Sequence, residues 1–250
     1  MLTTKIYQKT FMKWNIGCSG FAYKEWKGVF YPDKMAADKW FNFYASQFNT
    51  VELYNTFYRF PSVEKLLGWY EESPDNFSFS VKVPKLITHF KQLVDADLLI
   101  NFFYVTSKDG LREKLGEILF QFPSKFDYSE ARLQQLIKSL DTSFTNVVEF
   151  RHSSCWNEEV YTQPARNKII FCGTSHPSLP DDIIVVGPVI CHCFHGAPSL
   201  YYFNYKEDVL KAFADDIGDV QPIRKVNCYF NNTASTNAIK NARFLLQYCD

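Results

Sequence analysis

Glu52, Lys82, Glu149, Arg151 and His195 have the types and placement to carry acid–base and anion chemistry, because each ends or interrupts a short apolar run. The clearest case is Val147-Val148-Glu149-Phe150-Arg151-His152, where two β-branched residues lead into a carboxylate, a guanidinium and an imidazole. Two carboxyl groups in unlike surroundings can divide into a general acid and a general base. Arginine grips a carboxylate or phosphoryl group bidentately, lysine as a point charge, and histidine titrates near neutrality. Glu52, Glu149 and His195 are therefore the candidate catalytic groups. Lys82, Arg151, Arg59 and His89 are candidates for holding an anion, with His152 beside Arg151. Asn55, Gln121, Asn231 and Asn232 would orient hydroxyls or amides. The loop Phe21–Pro32 offers Tyr23, Trp26 and Tyr31 as a stacking rim, and Tyr58 is a further binding candidate; a packed cap is the equal alternative for that loop.

These groups need elements that bring them together. Apolar runs predict strands over 14–20, 49–57, 77–83, 116–122, 146–151, 168–173, 188–195 and 226–231. Amphipathic stretches predict helices over 37–47, 62–72, 129–141, 157–167 (interrupted at Pro164), 206–217 and 235–248, with a further helix inside 89–114. The 174–187 connection, with Pro177 and Pro180, looks too short for a regular helix. Strands alternating with helices predict an α/β fold, a single closed (β/α)8 barrel of parallel strands, with 1–12 an N-terminal extension. No glycine-rich phosphate loop follows any strand, which removes the usual reason for an open doubly wound sheet.

Barrel strands alternate between the helix layer and the axis. Phe77, Phe79, Val81 and Val83 should face the helices, leaving Ser78, Ser80 and Lys82 inward. The same alternation turns Glu52, Tyr54, Gln121, Glu149, Arg151, His195 and Asn231 inward, with Gly17 and Ser19 on the first strand. Polar side chains thus converge on the C-terminal mouth, where barrel enzymes build their sites. A structural ion-pair network is the bland alternative.

Composition narrows the function classes. The 250 residues carry 27 basic and 27 acidic side chains, so no global field draws the protein to nucleic acid or an anionic membrane. The 24 Phe and 15 Tyr belong mostly to the core. The N-terminal stretch lacks an apolar signal core and no run is long enough to span a bilayer, so a cytoplasmic protein is expected. Seven cysteines without framework spacing suggest reduced thiols. Cys191-x-Cys193 is set aside as a zinc half-site on the expectation that its thiols leave the strand on opposite faces. Cys18 is placed towards the helices and read as structural. No cofactor is expected; a divalent metal on Glu52, Glu149 and His195 is disfavoured, because Lys82 and Arg151 compete for the carboxylates.

In order along the chain, the blocks IGCSGFAYKEWKGVFYP (16–32), FNTVELYNTFYRFP (48–61), FSFSVKVPKLITH (77–89), LGEILFQFP (115–123), VEFRHSSCW (148–156), FHG (194–196) and YFNN (229–232) resemble those of the YecE-like family, also called domain of unknown function family 72 or UPF-0759. The resemblance covers nearly the whole chain. It implies a TIM-like barrel and no established reaction; a link to nucleic-acid metabolism through endonuclease-IV-like barrels is a conjecture attached to the family. Two departures stand out: Cys191 and Cys193 replace the family's usual Tyr and Arg, and Thr233-Ala234-Ser235-Thr236 replaces the acidic residue or His that tends to follow the Asn pair. The readings to separate are an enzyme acting on an anionic small molecule, a nucleic-acid-binding or nucleic-acid-processing protein, and a non-catalytic ligand-binding barrel.

Overall fold

The computed structural model describes residues 12–220 and 223–249, so the expected extension over 1–12 lies, apart from Met12, outside the described residues. Eight strands form one parallel sheet: β1 (Lys13–Cys18), β2 (Thr50–Leu53), β3 (Ser78–Lys82), β4 (Leu115–Phe122), β5 (Asn146–Phe150), β6 (Ile170–Ser175), β7 (Val189–Phe194) and β8 (Lys225–Phe230). The order β1-β8-β7-β6-β5-β4-β3-β2 curls the sheet into a barrel. Its seam lies between β1 and β2, where the ladder shrinks to a bridge between Ser19 and Glu52 and a 2.8 Å bond from Gly20 N–H to the Glu52 carbonyl.

Side chains complete that seam. Asn49 Oδ1 accepts from Ile16 N–H at 2.9 Å, while Tyr44 Oη accepts from Cys18 N–H at 2.7 Å and donates to the Thr50 carbonyl at 3.0 Å. Otherwise these buried backbone groups would be unpaired at the join. Gly17 permits the approach: a Cβ there would sit 2.1 Å from the Thr50 carbonyl oxygen.

The outer layer contains α1 (Trp40–Ala45), α2 (Val63–Glu72), α3 (Asp97–Leu111), α4 (Glu130–Ser139), α5 (Glu158–Arg166), α6 (Glu207–Gly218) and α7 (Asn237–Cys249). Several begin on a side-chain cap, with Ser62, Ser129 and Asn157 accepting from first-turn N–H groups. Two boundaries differ from expectation. The second strand stops at Leu53 rather than 57, because Thr56 Oγ1 bonds the carbonyls of both Leu53 and Lys82 at 2.6 Å and turns the chain into a 3-10 helix. The fifth helix runs unbroken through Pro164, which lies in its last turn, and the Pro164 carbonyl caps the end by accepting from Asn167 and Ile169.

The alternation of strand side chains follows expectation. Phe77, Phe79, Val81 and Val83 pack with Phe41, Phe103 and Phe120 in the large core between sheet and helices. A smaller inner cluster fills the barrel: Leu119, Val147, Cys172, Cys191, Cys193 and Tyr229. Cys191 and Cys193 therefore share the inner face, which corrects the expectation that they diverge. Residues two apart on a strand point the same way. Cys18 is buried in the outer core, as expected. Among the described residues no helix is long and apolar enough to cross a membrane.

Candidate active site at the mouth of the barrel

The C-terminal ends of the strands open into a cavity of about 960 Å³. Its wall includes Glu52 from β2, Lys82 from β3, Gln121 from β4, Arg151 after β5, His176 after β6 and Asn231 after β8. The rim is aromatic: Tyr23, Tyr54, Phe57, Tyr58, Tyr201 and Tyr202. Tyr58 and Tyr202 leave 65% and 64% of their surface exposed, so their rings are open for stacking.

Beneath this wall lies an ion cluster. Arg151 Nε donates to Glu149 Oε1 at 2.6 Å, and Arg151 Nη2 stands 2.9 Å from His195 Nε2. His195 Nε2 is 3.3 Å from the same Glu149 oxygen, and the Asn231 amide faces His195 Nδ1 at 3.0 Å. Burial alone would raise the Glu149 carboxyl, but the Arg151 charge beside it outweighs burial and holds the group well below the usual carboxylate range. Burial, reinforced by the Arg151 charge, pushes His195 down to about 4, so the ring is neutral at physiological pH. We assign the positive charge of the cluster to Arg151.

Glu52 is different. It too is buried, and desolvation raises its pKa while the Lys82 charge draws it partly back. It nevertheless reaches the cavity wall, whereas Glu149 and His195 do not. Lys82 Nζ lies over the Phe57 ring at 5.2 Å, which limits its directions. His89 packs edge-on to Phe57, and its pKa is depressed to about 4 by burial and by Lys82. Gln121 Nε2 is tied to the Phe122 carbonyl at 2.7 Å.

Of the residues singled out from sequence, Tyr23, Glu52, Tyr58, Lys82, His89, Gln121, Arg151 and Asn231 meet at the cavity. Others are placed elsewhere. Trp26 is fully buried and its indole N–H donates to the Ser235 carbonyl; Tyr31 is buried against Trp40. The loop is thus a packed cap that lends Tyr23 to the rim, and Trp26 is no rim residue. Asn55 and Arg59 are exposed and lie outside the lining, because the 3-10 turn after Leu53 swings them away. His152 caps a 3-10 helix by accepting from Ser154 N–H. Asn232 is a clamp: its Nδ2 donates to the Phe203 carbonyl and to Asn241 Oδ1.

Sequence reasoning missed His176, Tyr201 and Tyr202. The alternation that turns Cys172 and Thr174 inward also carries His176 to the mouth, so that residue was legible. The two tyrosines come from a loop whose path no strand pattern predicts.

Residues 15–250 match the family described as "Protein of unknown function DUF72". The UPF0759 protein YecE of Escherichia coli (strain K12) is 36% identical over 110 residues, covering 44% of this chain and 40% of that protein. The UPF0759 protein YunF of Bacillus subtilis (strain 168) is 31% identical over 140 residues, covering 53% of this chain and 50% of its own. The matched segments thus span half or less of those relatives' length. A crystal structure of a DUF72 family protein from Thermotoga maritima superposes with a TM-score of 0.83 at 27% identity, covering 94% of this chain and 98% of that one. A D-psicose 3-epimerase structure superposes at a TM-score of 0.53 and 8% identity over 95% of this chain and 98% of its own, a likeness of fold alone. With its barrel and the match over nearly all its length, the chain belongs to the DUF72 family, the UPF0759 proteins.

Proposed function

We propose that the protein is an enzyme acting on a small molecule that bears a carboxylate or phosphate group, by general acid–base chemistry at the barrel mouth. The observation that carries this reading is the pairing, in one cavity wall, of two cationic side chains with a carboxyl group whose proton affinity is raised. Lys82 and Arg151 hold the anion, Arg151 with its geometry fixed from behind by Glu149. Glu52, buried yet reaching the cavity, moves the proton, as the acid or base of a hydrolase- or lyase-like step. Gln121 and Asn231 orient neighbouring hydroxyls, and the tyrosine rim stacks a flat or ring-shaped portion. In this scheme Glu149 and His195 are positioning residues, because the guanidinium stands between them and the ligand.

A screen of phosphorylated and carboxylated metabolites should yield turnover that falls at least about 100-fold in Glu52→Gln, with little change in KM. Full activity in that variant would remove Glu52 from the chemistry. Anion binding without turnover in the wild type would instead leave a ligand-binding barrel. A nucleic-acid ligand is the weaker reading, since net charge is zero and Arg59 lies away from the cavity. Strongly salt-dependent strand binding would reverse that preference.

A further inference from the structure

We propose that the barrel holds a second site below the cavity floor: a buried position for one thiophilic divalent ion, Zn²⁺ in type, bound by Cys172, Cys193 and Glu149. The sulfur atoms of Cys172 and Cys193 and a carboxylate oxygen of Glu149 all lie within 4.8 Å of one another. The two sulfurs are 3.6 Å apart. A tetrahedral ion with Zn–S bonds of about 2.3 Å requires an S···S edge of about 3.8 Å, so the pair is already spaced for it.

A second observation points to a ligand independently. Glu149 is fully buried, and its Oε1 is committed to Arg151, whereas its Oε2 has no hydrogen-bond partner. A carboxylate oxygen sealed from water without a partner is costly, and a metal ion would relieve it. Charge also balances. Two thiolates, the Glu149 carboxylate, the Arg151 guanidinium and a divalent ion sum to zero, so a dry interior could hold the loaded set.

Binding breaks two S–H bonds, forms two metal–sulfur bonds and one metal–oxygen bond to Glu149, leaves one water of the incoming ion as the fourth ligand and releases both protons to solvent, with no change of oxidation state. Glu52 touches both regions: it lines the cavity, and its Oε2 stands 4.0 Å from Cys193 Sγ. The soft donor pair distinguishes this site from a metal on Glu52, Glu149 and His195. Because the ligands are buried below the cavity wall, the inference stands whether or not the anion chemistry above is correct.

The test is a titration of the full, reduced, chelator-stripped chain with Co²⁺, followed by displacement with Zn²⁺. One ion per chain should bind, with sulfur-to-cobalt charge-transfer absorption of two-thiolate intensity and the strong visible bands of a tetrahedral site. Both features should vanish in Cys172→Ser and Cys193→Ser, where Zn²⁺ affinity should fall more than about 100-fold, and persist in Cys249→Ser. Cobalt bound without sulfur bands, or bands that survive both serine variants, would overturn the proposal. If a serine variant does not fold, X-ray absorption on the zinc-loaded wild type decides. Two sulfur neighbours with oxygen completing the shell support the site, and an all-nitrogen-and-oxygen shell rejects it.

Discussion

Glu117 and Glu149 sit on neighbouring strands of the barrel, both fully buried inside it, yet their surroundings drive their protonation in opposite directions. Glu117 lies low in the barrel. Its oxygens accept from Asn227 and from Tyr229 Oη, and Asn227 in turn accepts from Asn15 at 2.8 Å. Burial raises the Glu117 carboxyl to about 7, with Lys225 opposing only in part. Glu149, higher up, has Arg151 against it at 2.6 Å and stays ionised. An inward acid is therefore no signature of a site. What separates the two acids is a cation close enough to offset desolvation: Arg151, itself in the cavity wall, stands against Glu149, and Glu117 has only neutral hydrogen-bond donors on its oxygens.

The strongest way to break this contrast is to remove the cation. Arg151→Met should strand the Glu149 charge and cost about 3–5 kcal/mol of stability, read by denaturant unfolding, besides abolishing anion binding. Unchanged stability would mean that Glu149 does not depend on Arg151.

The next test uses pH. A carboxyl raised in the folded state contributes stability below its unfolded value near 4.5, and that contribution is lost as pH rises through about 7. Glu117 should therefore lower stability by roughly 3 kcal/mol across that window. Glu149, depressed when folded, works with the opposite sign: its contribution is present above 4.5 and lost as the solution is acidified below it. Unfolding of Glu117→Gln at pH 5 and pH 8 should show most of the alkaline loss removed. An unaltered slope would assign it to another group.

Lys82→Met sharpens the description of the mouth alone. Anion affinity should drop about tenfold by calorimetry, while the pH dependence of stability assigned to Glu117 is retained. The smallest effect belongs to His152. His152→Ala should cost about 0.5–1 kcal/mol through the lost cap and leave ligand affinity unchanged. A large loss of affinity would return that residue to the site.

Much of the architecture was legible in the chain. All eight strands appear near their expected places, because short β-branched and aromatic runs alternate with amphipathic ones. Side-chain alternation correctly sent Phe79 and Val81 outward, and Glu52, Lys82 and Arg151 to one mouth. The same alternation places Cys191 and Cys193 together on the inner face and turns Glu117 and His176 inward as well. Loop residues were the least legible. Asn55, Arg59 and Trp26 share the chemistry of binding residues, but a threonine hydroxyl bonding two carbonyls, or an indole meeting the Ser235 carbonyl, decided where they point.

Sequence by itself determined the barrel, the inward set of each strand and the family, because these depend on local periodicity and ordered motifs. Tertiary structure alone decided which inward acid is paired, which is neutral and which reaches solvent. Those outcomes rest on distances of a few ångströms between strands far apart in the chain, such as Glu149 against His195 or Cys172 against Cys193, where burial and nearby charge compete within a dry interior.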